Sequence, residues 1–304
     1  MATDNSKMTI VLIGNSFKYE IEATMKLFFS TAHYSFGSSR EDITGGEYVI
    51  AEGSEDEKLI TAEVKLNGEA PVIRSAHPKN ISENEQELCR LLFHILCEKT
   101  GIRPPWGLMT GIRPVKKVLE LMDKGLAKEE IFRRLSDRYE VTDKKLHLAY
   151  DTAVNQLPII ENIDSTAASL YVSIPFCPTR CSYCSFISHS MDSAMKLMPE
   201  YVDALCRELE ILGRIVKETD TKIDTIYFGG GTPTSLSAND LKTIMEAVGK
   251  NFDIANVREY SVEAGRPDTI TAEKLHVIKA LGAERISVNP QTLNDEVLKV
   301  IGRK

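Results

Sequence analysis

The stretch Tyr171-Val-Ser-Ile-Pro-Phe-Cys177-Pro-Thr-Arg-Cys181-Ser-Tyr-Cys184 decides how this sequence of 304 residues is interpreted. It joins an apolar, β-prone run to a loop whose three cysteines are spaced C-x₃-C-x₂-C. Iron–sulfur cubanes are normally held by four cysteine thiolates. A loop that offers three leaves one iron without a protein ligand, and an open metal position is where a substrate or cosubstrate can bind. The spacing therefore indicates a [4Fe–4S] cluster bound by Cys177, Cys181 and Cys184.

Other kinds of cysteine site fit this loop less well. A zinc site would need a fourth cysteine or histidine in a second ligand pair, and the nearest candidate, His189, has no partner nearby in the sequence. A thioredoxin-like redox pair would use C-x-x-C at the start of a helix. Cys181 and Cys184 have that spacing, but Cys177 would then have no role. A chance grouping of structural thiols is the remaining alternative.

The residues after the cysteine loop alternate between strand and helix patterns, which is typical of a parallel sheet covered by helices. Strands are predicted over Tyr171–Ile174, Asp224–Phe228, Glu259–Glu263 and Arg285–Asn289, and helices over Leu197–Lys217 and Asn239–Lys250, after a Thr271 cap and from about Asp295. In such barrels the chemistry is located where strands end and loops begin. The cysteine loop, a glycine run, Glu263 and Gln291 all follow strand ends in this way.

The glycine run is Gly229-Gly-Gly-Thr-Pro-Thr234, directly after a predicted strand. It lacks the Gly-Lys-Ser/Thr of a phosphate loop and the G-x-G-x-x-G of a dinucleotide fold. Three glycines without Cβ atoms let a ligand reach main-chain carbonyls, which suit a cationic amine, whereas a phosphate needs N–H donors. By itself the run is also compatible with a simple tight turn, but its place one βα unit after the cysteine loop favours ligand binding.

Four segments together resemble the oxygen-independent coproporphyrinogen III oxidase family of radical S-adenosylmethionine (SAM) enzymes. They are Tyr171–Phe186, Phe228–Thr234, Ser261–Gly265 and Arg285–Thr292. Within this family the sequence is most similar to the HemZ-type coproporphyrinogen dehydrogenases, which carry a long N-terminal extension. That extension is recognisable mainly through Arg103–Pro114, whereas the resemblance to the radical SAM core covers about residues 170–304.

The resemblance implies that the three cysteines bind the cluster and that SAM binds its open iron. It also implies SAM contacts for seven other residues, which are Tyr171, Gly230, Gly231, Thr232, Glu263, Gln291 and Arg303. Each of these positions also has a structural interpretation: an acidic residue at a strand end is often a helix cap, and Arg303 is compatible with a solvated helix terminus.

The activity that the resemblance implies is the oxidative decarboxylation of propionate groups of coproporphyrinogen III to vinyl groups, started by a 5′-deoxyadenosyl radical. The implied partners are a tetrapyrrole substrate, an electron donor and an electron acceptor. The sequence departs from the characterised oxidases at Phe186, where they have a further cysteine, and at Ser173, where they have a histidine. Because the haem-chaperone branch shares Phe186, a haem-binding or haem-delivery protein without oxidase activity is the alternative.

The resulting fold prediction is an α/β chain with a partial (βα) radical SAM barrel, about four of the six βα units, at residues 166–304. We expect the missing units and any substrate-closing domain to belong to a longer protein. A small α/β domain is predicted at 1–78 and a helical region at 79–165. Their predicted elements are strands at Thr9–Ile13, Glu47–Ala51 and Leu59–Leu66, a turn at Asp56–Lys58, and helices at Tyr19–Phe29, Ser82–Thr100, Val115–Asp123, Lys128–Ser136 and Asp143–Gln156.

Two Gly-Ile-Arg-Pro copies flank the only tryptophan, Trp106. They are consistent with paired helix-breaking turns fixed by an aromatic ring. The alternative hypothesis is that Arg103 and Arg113 bind an anionic group, because arginine forks suit carboxylates.

Composition excludes other broad classes. The 37 basic and 44 acidic residues give a formal charge of −7, which offers no broad attraction to nucleic acid or anionic lipid. No apolar run reaches the roughly 18 residues of a membrane span, and the first residues do not form a signal peptide. Cys89, Cys97 and Cys206 lie in amphipathic helical patterns, as buried thiols do. Together with the clustered ligands, they predict a reducing cytoplasm.

Overall fold

A computed structural model describes residues 7–53, 59–78, 80, 83–186, 188–191 and 195–303. The chain divides into two compact units, Met1–Glu161 and Asn162–Lys304. The three-part division at residues 78 and 165 stays a prediction. The predicted turn at Asp56–Lys58 and Ser82, the predicted first residue of the second helix, lie outside the described residues.

The first unit begins with a five-stranded mixed sheet of order β2-β1-β3-β4-β5. Its strands are β1 (Lys7–Ile13), β2 (His33–Gly37), β3 (Tyr48–Glu52), β4 (Ile60–Lys65) and β5 (Val72–Ala76). Strand β1 is parallel to both β2 and β3, whereas β4 is antiparallel to both of its neighbours. The predicted strands are confirmed within a residue or two, and the edge strands β2 and β5 were not predicted.

Two helices cover this sheet and three more form a second core. The helices are α1 (Lys18–Lys26), α2 (Asn84–Thr100), α3 (Pro114–Asp123), α4 (Lys128–Tyr139) and α5 (Asp143–Glu161). Ile21 and Leu92 pack on the sheet with Ile10 and Val64. Helix α2 ends at Gly101, whose left-handed conformation (φ 68°) caps it. Helix α5 continues past its predicted end through Pro158, at the cost of one backbone hydrogen bond.

The segment Arg103–Gly107 is held against the end of α4. The Leu108 amide donates to the Tyr139 carbonyl (2.7 Å), and the Arg103 guanidinium donates to the Glu140 carboxylate (3.1 Å). Gly107 is required there because a Cβ atom would lie 2.0 Å from the Tyr139 carbonyl oxygen. Arg103 therefore pairs with a carboxylate of its own chain, which supports the structural interpretation of the first Gly-Ile-Arg-Pro copy.

The second unit is built on a four-stranded parallel sheet of order β11-β10-β9-β6. Its elements are β6 (Ala168–Ile174), the short pair β7 (Phe176–Cys177) and β8 (His189–Ser190), α6 (Met198–Glu218), β9 (Ile223–Gly230), α7 (Ala238–Asn251), β10 (Glu259–Glu263), α8 (Ala272–Ala280), β11 (Arg285–Ser287) and α9 (Asp295–Val300). This confirms the predicted fold class and the predicted order of strands and helices. The Thr271 cap is also confirmed, because its hydroxyl accepts from the Lys274 amide (3.3 Å).

Side-chain alternation separates the two faces of this sheet. On β6, Leu170, Val172 and Ile174 are buried in the core under α6 and α7, whereas Tyr171 and Ser173 point to the opposite face and are exposed. The face that carries Tyr171 is therefore open to a ligand. None of the helices in the described ranges combines the length and apolar composition that crossing a bilayer requires.

Candidate functional site

All four parallel strands end at the same edge of the sheet, and the predicted site residues follow those ends. Strand β6 leads into the cysteine loop, β9 into Gly231–Thr232, β10 ends at Glu263, and β11 leads toward Gln291. The carboxyl edge of a parallel sheet is where α/β folds bind their ligands. The structure thus gathers these segments into one candidate site.

The glycine segment, which is the run Gly229–Thr234, is hydrogen-bonded to the residues that lead into the cysteine loop. The Gly231 amide donates to the Ile174 carbonyl (2.7 Å), and the Thr232 amide donates to the Phe176 carbonyl (2.8 Å). Thr232 is buried, and its hydroxyl lies 3.4 Å from the Cys177 sulfur. A Cβ atom on Gly231 would lie 2.7 Å from the Phe176 carbonyl oxygen. A glycine is therefore needed where the two segments meet.

Two buried arginines surround the second cysteine. Arg303 Nε lies 3.4 Å and Arg266 Nη1 3.9 Å from the Cys181 sulfur. Burial acts to raise the pKa of the Cys181 thiol, but hydrogen bonds from Arg303 and Tyr183 and the charges of both arginines hold that pKa below its ordinary value. The thiolate is the form of cysteine that binds metals, so this environment favours the ligating state.

The chain around Arg303 is fixed on the cysteine loop. The Ser182 amide donates to the Ile301 carbonyl (3.1 Å), and the Thr179 hydroxyl donates to the Gly302 carbonyl (2.8 Å). Arg303 itself donates to the Asn289 carbonyl (2.5 Å). It is buried, so it is not the solvated helix terminus that was the structural alternative.

Two tyrosines and Glu263 form the open face of the sheet. The rings of Tyr171 and Tyr227 stack with centroids 5.8 Å apart, and the Tyr227 hydroxyl donates to Glu263 Oε1 (2.5 Å). Burial and this bond raise the pKa of Tyr227 to about 12. Sequence reasoning missed Tyr227. The available signal was its position in the strand before the glycine run, where it lies opposite Tyr171.

Gln291 lies at the same edge of the sheet but is exposed, with a left-handed backbone (φ 70°), which is uncommon for a residue other than glycine. Its neighbours Pro290 and Thr292 line a cavity of about 250 Å³ that Arg266 and Arg303 also line. The SAM contact of Gln291 therefore stays a prediction.

The cysteine loop offers three thiols that can each bind a different iron atom of a cluster. Within the described ranges, no three His, Cys, Asp or Glu side chains lie close enough together to hold one metal ion. A cubane does not require that, because its cysteines bind different iron atoms. Three thiols on one loop, one of them beside two guanidinium groups, are an appropriate donor set for such a cluster.

The two departures from the oxidases also lie at this site. Ser173 is exposed on the open face, and its carbonyl accepts a hydrogen bond from the Tyr201 hydroxyl. The Phe186 side chain follows Cys184 and is 59% exposed. An exposed aromatic ring beside the cysteine loop offers an apolar contact for a flat ligand.

We expect Glu263→Gln to lower the pKa of Tyr227 toward its ordinary value of about 10, because the carboxylate disfavours the phenolate. The native protein binds the Tyr227 proton more tightly than the unfolded chain. The associated contribution to the free energy of unfolding is therefore present below pH about 10 and lost as the pH rises to about 12. Ultraviolet difference titration against Tyr227→Phe measures this pKa. The pKa of Tyr201, about 12 through burial and Glu208, should not change, and an unmoved Tyr227 midpoint would contradict the expectation.

Comparison with known proteins agrees with this arrangement. The model of the radical SAM superfamily matches residues 171–304. The oxygen-independent coproporphyrinogen-III oxidase-like protein HemZ of Bacillus subtilis (strain 168) is 34% identical over 293 residues, which cover 91% of this chain and 57% of HemZ. The haem chaperone HemW of the same organism is 40% identical over 136 residues, 44% of this chain and 35% of HemW.

A further relative is the anaerobilin synthase of Escherichia coli O157:H7, 34% identical over 147 residues, which cover 47% of this chain and 32% of that protein. The chain thus spans between about a third and 57% of the length of these curated relatives. The HemZ match extends over nearly the whole chain, whereas the other two cover less than half of it. Residues 171–304, which carry the candidate site, match the radical SAM superfamily, and the similarity to HemZ extends over nearly the whole chain.

Proposed function

We propose that this protein binds a [4Fe–4S] cluster through Cys177, Cys181 and Cys184 and binds SAM at the open iron. The observation that carries the proposal is the direct bonding of the glycine segment to the cysteine loop, through the Gly231 and Thr232 amides. A ligand held by the glycine segment would also reach the cluster, which is the juxtaposition that the chemistry of SAM cleavage needs. Members of the superfamily use this pair of cofactors.

We further propose a tetrapyrrole substrate and the oxidative decarboxylation of coproporphyrinogen III, with an external electron donor and acceptor in a reducing cytoplasm. The similarity to HemZ over 91% of the chain supports this substrate class. When bound, the cofactors supply an electron that cleaves SAM and a 5′-deoxyadenosyl radical that takes a hydrogen from a propionate side chain. The remaining tasks, which are orientation and exclusion of water, belong to the protein.

The residues of this chain can perform those tasks. The guanidinium group of Arg303, 3.4 Å from the Cys181 sulfur, favours the thiolate form that binds iron. The stacked rings of Tyr171 and Tyr227 provide a rigid wall on the open face. The Glu263 carboxylate, already accepting from Tyr227, has further lone pairs for ligand hydroxyl groups.

A haem-binding or haem-delivery role is the second candidate function. It is favoured by the exposed Phe186 ring and by 40% identity to the haem chaperone HemW over the radical SAM part. In that case the same cluster site would be present, but no vinyl product would form.

One assay distinguishes the two functions. The reconstituted protein is incubated without oxygen with SAM, a reductant and coproporphyrinogen III, and products are separated chromatographically. We expect both 5′-deoxyadenosine and vinyl-bearing porphyrinogen. Deoxyadenosine without a vinyl product would exclude this substrate but keep the radical chemistry. Tight haem binding, titrated on the same protein, with no deoxyadenosine release in the presence of every porphyrinogen tried would instead favour the haem-binding role.

A further inference from the structure

Arg266 is a buried charge that the proposed function does not use. Its side chain lies on the loop after β10 and the residue is only 3% exposed. Both ends of its guanidinium fork bond to Asp268, with Nε–Oδ1 at 3.0 Å and Nη2–Oδ2 at 2.9 Å. A bidentate pair of this kind fixes the orientation of an arginine as well as its charge. The remaining nitrogen, Nη1, points toward the cysteine loop.

That nitrogen joins three separate segments of the chain. Nη1 donates to the Thr179 hydroxyl (3.1 Å) and lies 3.9 Å from the Cys181 sulfur. The Thr179 hydroxyl in turn donates to the Gly302 carbonyl (2.8 Å), next to Arg303. Arg266 thus holds the cysteine loop between the loop after β10 and the segment that carries Arg303. A buried guanidinium is costly without such partners.

The two charges of the Arg266–Asp268 pair are placed differently with respect to Cys181. The positive group is buried beside Cys181, whereas the Asp268 side chain lies on the other side of the fork and is 35% exposed. The reduction potential of an iron–sulfur cluster depends on hydrogen bonds to its sulfurs and on nearby net charge. A positive group close to a ligand sulfur stabilises the added electron, and a carboxylate behind it offsets part of that effect.

We propose that Arg266 and Asp268 are positioning residues that together set the reduction potential of the cluster through Cys181. This inference rests on the proposed function, because it requires a cluster at the cysteine loop. It assigns opposite effects to the two members of one ion pair. A purely structural pair would not show that difference, since losing either partner would loosen the same loop.

The test is a potentiometric titration of the reconstituted protein, followed by electron paramagnetic resonance. Arg266→Gln should shift the midpoint to a more negative value, because the carboxylate then lies near the cluster without its counter-charge. Asp268→Asn should shift it to a more positive value, because the guanidinium then has no counter-charge. We expect each shift to equal at least a tenfold change in the ratio of reduced to oxidised cluster, about 59 mV for one electron.

Two further variants separate charge from structure. Arg266→Lys keeps the charge and should therefore keep the midpoint close to the wild-type value. Arg258→Gln removes an arginine that is paired with Asp224 (2.5 Å) where β9 and β10 begin, at the opposite edge of the sheet, and should leave the midpoint unchanged.

Iron content and circular dichroism are measured on every sample. Opposite shifts of the two variants establish the inference, and shifts of the same sign or of less than twofold overturn it. If Arg266→Gln does not fold, the sign for Asp268→Asn decides, since a negative or absent shift overturns the inference. Wild-type protein that binds no cluster would overturn the proposed function as well, so the two failures are distinguishable.

Discussion

Cys177→Ala, Cys181→Ala and Cys184→Ala are each expected to abolish assembly of the cluster. Anaerobic reconstitution of the wild-type protein should give about four irons per chain and broad visible absorption. Two remaining thiolates cannot hold a cubane in water, so each variant should retain less than about one iron. Iron and sulfide analysis after desalting measures the difference. Stoichiometric zinc in place of iron, or full iron content without Cys177, would contradict the assignment.

The other three thiols of the chain provide the matched controls. Burial raises the pKa of Cys89 to about 12 and raises the pKa values of Cys97 and Cys206, so these thiols stay protonated and are poor ligands. Cys89 contacts the core of the first unit, and Cys206 packs against that of the second. Their alanine variants should lose on the order of 1 kcal/mol of unfolding free energy each and keep the full iron content.

The parallel sheet was predictable because short β-prone runs alternate with amphipathic helices along residues 166–304. Strand β10 has its predicted bounds, Glu259–Glu263. Strand β11 ends at Ser287 rather than Asn289, because its neighbour β10 ends opposite that residue. Beyond Ser287, β11 has no partner residue in β10 with which to continue the ladder of hydrogen bonds. The end of β11 is therefore set by strand pairing and not by its local sequence.

The missed strands have a different cause. His33–Gly37 and Val72–Ala76 lie at the two edges of the first sheet and have no fully buried residue. Edge strands need only one paired side. Tyr34 and Phe36 of the first strand alternate with polar residues but are only two apolar positions, and the second strand, Val-Ile-Arg-Ser-Ala, does not alternate. Their formation depends on pairing with β1 and β4, respectively.

The site was predicted where a motif marks it and missed where burial comes from long-range contacts. The cysteines, the glycine run and Glu263 follow strand ends that can be located in the sequence. Arg266 lies in a Gly-Arg-Pro-Asp segment that looks like a solvated loop. Its burial arises from Thr179 and Cys181, which precede it by 87 and 85 residues. A single sequence does not contain that information.

Gly231→Ala is expected to lower the affinity for SAM by about tenfold or more. The added Cβ atom would lie 2.7 Å from the Phe176 carbonyl oxygen and 3.0 Å from the Phe176 amide nitrogen, and backbone atoms cannot move aside as a flexible side chain can. Overpacking of this kind costs about 1–3 kcal/mol, and about 1.4 kcal/mol is a factor of ten in affinity. Calorimetric titration of the reconstituted variant with SAM measures the loss.

A second glycine in the same unit separates this local effect from a general loss of stability. Gly249 lies within helix α7, where a Cβ atom would be 3.6 Å from Ile254 Cδ1, an ordinary contact. Gly249→Ala should therefore raise the unfolding free energy by about 0.5–1 kcal/mol, since alanine is the better helix former, and leave SAM affinity unchanged. If Gly231→Ala bound SAM and iron as the wild type does, the glycine segment would not be the SAM contact. If both variants lost SAM equally, the loss would reflect the added methyl group and not its position beside Phe176. Only a loss confined to Gly231→Ala connects SAM binding to the junction between the glycine segment and the cysteine loop.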